Sequence, residues 1–184
     1  QRGFFLTHEG TCRRALEEAD RLKMAAAAKA LVQALGVWAQ NQRKLDQAER
    51  WYADLARRCE AEQNEPAAAA SSHQLGMIAQ ERRDFPTAEG WYRRSLAIEE
   101  KLGNEPGAAS TYHQLGRIAE ERRDLDTAEG WYRKALAIEE KLGNEPGAAI
   151  TYHQLGIIAQ GRRDFTTAER WYRRSLAIER KSGE

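Results

Sequence analysis

Histidine and glutamine recur as an adjacent pair at a fixed spacing along the chain. The pairs, each 40 residues from the next, are His73-Gln74, His113-Gln114 and His153-Gln154. Imidazole and carboxamide groups both donate and accept hydrogen bonds, which suits them to the backbone amides of an extended peptide. The residue four positions after each histidine varies, as Met77, Arg117 and Ile157. The spacing therefore predicts a recognition surface with one variable contact in each repeat.

Patterns typical of catalytic and metal sites are missing from the sequence. It contains no HExxH, no glycine-rich phosphate loop and no Ser/His/Asp set. Cys12 and Cys59 form neither a CxxC motif nor a metal-ligand spacing, so we expect two reduced thiols, buried or half-buried. Histidines on successive helical repeats would lie ~10 Å apart, too far for one ion with bonds of ~2 Å. We expect no enzyme activity, no cofactor and no metal.

Composition argues against nucleic acid and membrane as partners. The 184 residues carry 29 Lys+Arg and 28 Asp+Glu, a net charge of +1, which lacks the basic excess of nucleic-acid binders. Mean hydropathy is −0.78, and no apolar run approaches the ~20 residues that span a bilayer. The first residues lack the apolar region of a signal peptide. We expect a cytoplasmic protein.

The whole sequence repeats with a period of 40 residues. A Trp-Tyr pair begins at Trp51, Trp91, Trp131 and Trp171, and residues 71–110 differ from 111–150 at nine positions. Such self-similarity indicates a solenoid or a propeller, and the absence of alternating strand patterns favours helices. The chain spans about 4.6 repeats and lacks an initiator methionine, so we expect an excerpt of a longer array.

Each repeat is predicted to fold as two helices. The first runs from about Pro106 to Arg122, capped by Asn104 or Glu105. Asp124 or Asp126 begins the second, and Gly143 ends it with a positive φ. Leu115 and Tyr132 lie on the predicted core faces. The tryptophans are expected to pack between repeats, with stacking on arginine as a secondary contact. The acidic pairs Glu99-Glu100 and Glu139-Glu140 are expected on a solvated helix face.

These residues resemble the tetratricopeptide repeat (TPR). Tyr112-x2-Leu115-Gly116-x2-Ala119, followed by Ala128-x3-Tyr132-x2-Ala135, is similar to the family's W-x2-L-G-x2-Y and A-x3-F. Further copies stand at Leu75-Gly76 and Leu155-Gly156, with a weaker one at Leu35-Gly36. The repeat is longer than the family's ~34 residues, which resembles the extended arrays of kinesin light chains and bacterial signalling ATPases. Arginines 83, 123 and 163 replace the family's usual glycine between helices. The Trp-Tyr pair also resembles Sel1-like repeats, but their usual Gly-x-Gly loop is missing. HEAT repeats share the period of ~40 residues but not this motif spacing.

The resemblance implies an all-α, right-handed superhelical solenoid of antiparallel helix pairs, with about four and a half repeats. We predict a truncated repeat and connection over 1–26, followed by repeats at 27–66, 67–106, 107–146 and 147–184.

The resemblance also implies that the first helix of each repeat lines a concave groove. The predicted groove residues are Gln33, His73, Gln74, Met77, Gln80, His113, Gln114, Arg117, Glu120, His153, Gln154, Ile157 and Gln160. The expected function is a non-catalytic module that binds a protein or extended peptide, as the sensor or scaffold part of a larger bacterial signalling protein. Alternatively, each histidine is a half-exposed residue bonded to a neighbouring helix.

A second hypothesis is a structural module that stacks end to end with its own copies. It rests on apolar residues expected to be exposed near the two ends, which are Phe4, Phe5, Trp171, Leu176 and Ile178. A consensus-designed repeat protein would have a similar sequence.

Overall fold

A computed structural model describes residues 2–182, with side chains from residue 9 to residue 181, and every described element is an α-helix or a short turn. The helices are α1 Arg2–Arg21, α2 Ala25–Asn41, α3 Leu45–Ala61, α4 Glu65–Glu81, α5 Phe85–Leu102, α6 Glu105–Glu121, α7 Leu125–Lys141, α8 Glu145–Gly161 and α9 Phe165–Ser182. The side chains of Phe4 and Phe5, invoked for end-to-end stacking, lie outside the described residues.

The chain divides into two compact units, Gln1–Ser95 (unit 1) and Leu96–Glu184 (unit 2), with the boundary inside α5. In unit 1, α1 to α4 pack against one another in chain order, and in unit 2, α6 to α9 do the same. The helix pairs start at residues 25, 65, 105 and 145, two residues before the repeat starts predicted from the sequence.

Short polar side chains cap α6 and α7 as the sequence predicts, whereas α2 and α3 begin without a side-chain cap. Asn104, not Glu105, caps α6 by accepting a hydrogen bond from the Gly107 amide at 3.3 Å. Asp124, not Asp126, caps α7 by accepting from the Thr127 amide at 3.1 Å. Each cap satisfies an N–H that the helix cannot. The helices from α2 to α9 nevertheless begin every 20 residues, including α2 and α3, which have no side-chain cap.

Every inter-helix turn contains one residue with a left-handed backbone. These residues stand 20 apart, and only two of them are glycine: Lys23, Arg43, Gln63, Arg83, Gly103, Arg123, Gly143 and Arg163. The prediction of a positive φ at Gly143 is confirmed, with φ at 65°, and Arg123 adopts φ 61° despite its side chain. The conformation is therefore set by the two flanking helices and not by glycine.

Each residue of the repeated Arg-Arg-Asp motif has a different structural role. At 162–164, Arg162 forms ion pairs with Asp126, at 2.5 Å, and with Glu129 of the preceding helix pair. Arg163 takes the left-handed turn conformation. Asp164 accepts a hydrogen bond from the Thr167 amide at 3.0 Å and so begins α9.

The core of unit 2 follows the predicted stripes. Leu115 and Tyr132 are fully buried, and Trp131 and Trp171 pack half-buried against the core. The Trp131 ring stacks on Tyr112 with centroids 5.6 Å apart, and the Lys134 ammonium lies 4.6 Å from the Trp131 centroid. Trp131 packs on a core cluster with residues from both helix pairs, as predicted. Its ring stack, however, is with Tyr112 of its own pair, and the cation over it is a lysine and not an arginine.

Candidate ligand-binding surfaces

The predicted groove residues lie on the first helix of each pair, at equivalent positions of α2, α4, α6 and α8. Most are half-buried, whereas Gln33, Arg117, His153 and Gln160 are exposed. Helices α2 and α4 belong to unit 1, and helices α6 and α8 belong to unit 2. Each unit therefore has its own set of predicted groove residues. A single groove that runs through all repeats stays a prediction.

Each histidine of the repeated pairs packs against the tyrosine of the following helix. Ring centroids lie 5.2 Å apart for His73 and Tyr92, and 5.2 Å apart for His113 and Tyr132. Burial lowers the pKa of His73 and of His113, and Arg117 lowers that of His113 further. These two imidazoles are therefore held neutral, able to donate from one nitrogen and accept at the other.

The last predicted groove residue of α4, of α6 and of α8 already has a partner within the fold. The tyrosine hydroxyl of the following helix donates to Gln80 at 3.0 Å, to Glu120 at 2.8 Å and to Gln160 at 2.9 Å. These three side chains anchor the helix pair, which the sequence analysis did not predict.

Unit 2 has an open depression of about 540 Å³ on the surface shared by α6, α8 and the end of α7 (the unit 2 depression). Its lining consists of Pro106, Ala109, Ser110, His113, Gln114, Glu139, Leu142, Asn144, Gly147 and Ile150. Two predicted groove residues, His113 and Gln114, belong to it. Arg117, Glu120, His153, Gln154, Ile157 and Gln160 do not.

Unit 1 has an equivalent depression of about 410 Å³ (the unit 1 depression). Its lining consists of Ala26, Lys29, Ala30, Gln33, Val37, Tyr52, Leu55, Cys59, Asn64, Ala67, Ala70, Ser71 and Gln74. Most of these positions precede a lining position of the unit 2 depression by 80 residues, as Gln33 precedes His113 and Cys59 precedes Glu139. Gln33 and Gln74 are predicted groove residues, whereas His73, Met77 and Gln80 lie outside the lining.

Glu139 lines the unit 2 depression and is not among the residues predicted for the site. Glu99 and Glu139 were expected on a solvated helix face, and this prediction is wrong because they are only 5% and 7% exposed. Glu139 continues the buried stripe of α7, seven residues after Tyr132 and four after Ala135. Two signals in the sequence indicate that Glu139 is buried. These are the helical period of the stripe and the cysteine, Cys59, at the equivalent position of an earlier repeat.

A third depression, of about 330 Å³, lies in unit 2 beside the tryptophan of the last helix. Its lining is Arg133, Thr167, Arg170, Trp171 and Arg174. The guanidinium carbons of Arg133 and Arg174 lie 5.7 Å and 5.3 Å from the Trp171 centroid. These arginines cover an aromatic packing site, so their exposed stems contribute to packing as well as charge.

The described residues lack the side-chain clusters of a metal site and the long apolar helices of a membrane span, and they contain two cysteines. They include no group of three or more His, Cys, Asp or Glu side chains that could hold a metal ion. None of the described helices combines the length and apolar character needed to cross a membrane. Both cysteines are free thiols, with Cys12 half-buried and Cys59 buried, as predicted.

Comparison with protein families finds two matches, both described as tetratricopeptide repeat. One model matches residues 68–106 and the other residues 107–181. Together they cover well over half of the chain and follow each other without a gap. No curated protein sequence matches the chain.

Several solved structures resemble most or nearly all of the chain. BtubC (BKLC) from P. vanneervenii is 25% identical with a TM-score of 0.88, over 99% of this chain and 76% of that one. A candidate kinesin light chain from Podosopora anserina, with nearly identical TPR-like repeats, is 16% identical with a TM-score of 0.69, over 99% and 98%. The Rap conjugation gene regulator of plasmid pLS20, solved with the Phr* peptide, is 16% identical with a TM-score of 0.67, over 82% and 41%. The similarity to these structures shows that the chain has the fold of an all-α repeat solenoid.

Proposed function

Because the chain belongs to the tetratricopeptide repeat family, we propose that it is a non-catalytic module that binds an extended peptide segment of a partner protein. The observation that carries the proposal is the recurrence of one depression at equivalent positions in the two units. Each depression is lined by glutamine or histidine from first helices and by apolar side chains. This mixture suits a peptide, whose backbone needs hydrogen bonds and whose side chains need apolar contact.

The wider role that we propose is the sensor or scaffold part of a bacterial signalling protein in the cytoplasm. One structural neighbour is the Rap conjugation gene regulator of plasmid pLS20, solved in complex with the Phr* peptide. The neutral imidazoles of His73 and His113 support contact with backbone amides, because a neutral ring offers both a donor and an acceptor.

A displayed peptide library tests the binding function. The purified chain should enrich peptides above background, and a variant with His73, His113 and His153 changed to alanine should capture them less well. The control changes Arg57, Arg93 and Arg173 to alanine, since these exposed side chains pair with carboxylates of their own second helices. Equal capture by parent and histidine variant would remove the histidines from the site, and no enrichment by the parent would contradict the proposal.

Self-association is the second candidate, favoured by one apolar side chain of α9. Leu176 is 43% exposed, whereas Leu136 at the equivalent position of α7 is 7% exposed. Light scattering over a concentration series separates the two functions. Self-association would be favoured if the molar mass of the parent rises with concentration while that of Leu176→Lys stays at the value of a monomer.

A further inference from the structure

Glu139 is a buried carboxyl group without a full set of partners inside the protein. It lies near the end of α7, is 7% exposed, and its Oε2 atom has no hydrogen-bond partner. Burial raises the pKa of Glu139, and the nearby Thr151 hydroxyl lowers it in part. An isolated buried carboxylate is unfavourable unless it is paired, so this side chain is expected to gain a partner when the site is occupied.

The fold makes room for this carboxyl group with a glycine. A Cβ atom at Gly147, in the first turn of α8, would lie 3.0 Å from Oε1 of Glu139. The amide of Gly147 donates to Asn144 at 3.1 Å, so Glu139 is not the cap of that helix. The start of α8 favours negative charge nearby, which helps to hold the carboxylate in place.

The same pairing distinguishes the two depressions. Glu139 occurs with Gly147, and Glu99 occurs eight residues before Gly107, whose Cβ would also lie 3.0 Å from a glutamate oxygen. At the equivalent positions of unit 1 the residues are Cys59 and Ala67. The unit 1 depression therefore has a neutral base, and the unit 2 depression has an acidic one.

The unit 2 depression offers a second unpaired polar atom and no positive charge. Nε2 of His113 is buried without a hydrogen-bond partner. The lining of the unit 2 depression includes neither lysine nor arginine. By contrast, the unit 1 depression contains Lys29, which forms an ion pair with Glu62. The lining itself supplies no cation for Glu139, and a positive charge that acts on the depression, Arg117, lies outside the lining and lowers the pKa of His113.

We propose that the unit 2 depression takes a lysine or arginine side chain of a bound peptide, with Glu139 as its counter-ion. This inference rests on the proposed peptide-binding function. The cationic head donates a charge-assisted hydrogen bond to the Glu139 carboxylate and a second bond to neutral His113. Leu142 and Ile150, both exposed at the depression, cover the apolar stem of the ligand side chain.

The test uses capped peptides of sequence Ala-Ala-Lys-Ala-Ala, with arginine, norleucine or glutamate in place of lysine in matched peptides. Binding to the ¹⁵N-labelled full chain is followed by NMR shifts of the Gly147 and Ile150 amides. Ala67 and Ala70 report on the unit 1 depression in the same sample. The lysine or arginine peptide should bind about tenfold more tightly than the norleucine peptide at unit 2, as expected for one charge-assisted hydrogen bond, and without charge preference at unit 1.

Two variants with the same change in net charge identify the residue responsible. Glu139→Gln should abolish the preference for the cationic peptides. Glu140→Gln should keep it, because Glu140 is exposed and accepts its hydrogen bond from Tyr152 outside the depression. Thermal melts of both variants establish that they fold.

The outcomes separate this inference from the proposed function. Equal binding of the lysine and norleucine peptides, absence of shifts at unit 2, or a preference that survives in Glu139→Gln would each overturn the inference. Peptides enriched from the displayed library without lysine or arginine would also contradict it, and would leave the peptide-binding function standing. A library that enriches nothing contradicts the binding function itself.

Discussion

The ring of Tyr132 lies directly against the backbone of Gly116, so that a Cβ atom at residue 116 would stand 2.7 Å from Cδ1 of the tyrosine. Real Cβ atoms do not approach another atom so closely. The equivalent contacts join Gly76 to Tyr92 and Gly156 to Tyr172. The glycine of the repeated Leu-Gly motif is therefore required by the tyrosine of the next helix.

Gly116→Ala should destabilise the chain by about 1–3 kcal/mol, the usual result of overpacking a filled core. Tyr132 is fully buried and its hydroxyl is bonded to Glu120, so the ring cannot move aside. Gly130→Ala is the control, because a Cβ at this exposed helical position meets nothing within 4 Å. It should stabilise by about 0.5–1 kcal/mol through helix propensity. Urea unfolding measures both, and equal effects would contradict the packing argument.

Introducing glycine in one inter-helix turn and removing it from another turn of the same geometry should change the stability of the chain in opposite directions. Arg123 and Gly143 adopt φ 61° and 65°. A left-handed backbone costs a non-glycine residue roughly 1–2 kcal/mol, and Arg123→Gly removes this cost. Because glycine also increases the conformational entropy of the unfolded chain, the net stabilisation should be up to about 1 kcal/mol. Gly143→Ala should destabilise it by about 1 kcal/mol. Thermal melts that shift in the same direction for both variants would contradict the shared conformation.

The helix pair over 105–141 could be predicted from the sequence because its boundaries have local chemical causes, whereas α2 and α3 begin without a side-chain cap. Asn104 and Asp124 cap the helices, and Gly143 ends one with a positive φ. The left-handed Arg123 was not predictable in this way, because only the geometry of two packed helices forces an arginine into that conformation.

The candidate site was less accessible to sequence reasoning for a physical reason. Charge predicts a solvated position for Glu139, whereas its place in the helical period predicts a buried one, and the expectation of a solvated face rested on charge. The burial of Glu139 depends on tertiary contacts with Gly147 and Thr151 of the next helix. Likewise, only the structure separates His113, which lines a depression, from His153, which does not.

The raised pKa of Glu139 predicts how stability depends on pH. In the unfolded chain the group titrates near 4.5, and burial raises its pKa in the folded chain. Between these two values the folded state binds more protons, so stability decreases as pH rises through the window. Glu139→Gln lacks this loss and should be more stable than the parent at neutral pH, with the difference disappearing below about pH 4.5.

Urea unfolding of parent and Glu139→Gln at a series of pH values checks this dependence. Glu140→Gln serves as the reference for the same change in net charge at an exposed position. A parent that is more stable than Glu139→Gln at neutral pH would mean that the folded chain already pairs the carboxylate.

The two free thiols should report on different parts of unit 1. Cys59 is fully buried at the base of the unit 1 depression, and burial raises the pKa of its thiol, with smaller opposing influence from Lys29. Because the thiolate is the reactive form, a thiol reagent should label half-buried Cys12 first and Cys59 only as the local structure opens. Labelling followed by mass spectrometry in Cys12→Ser and Cys59→Ser separates the two rates, and denaturant should make them equal. Rapid labelling of Cys59 in the folded chain would show that the unit 1 depression opens to solvent far more readily than its burial implies.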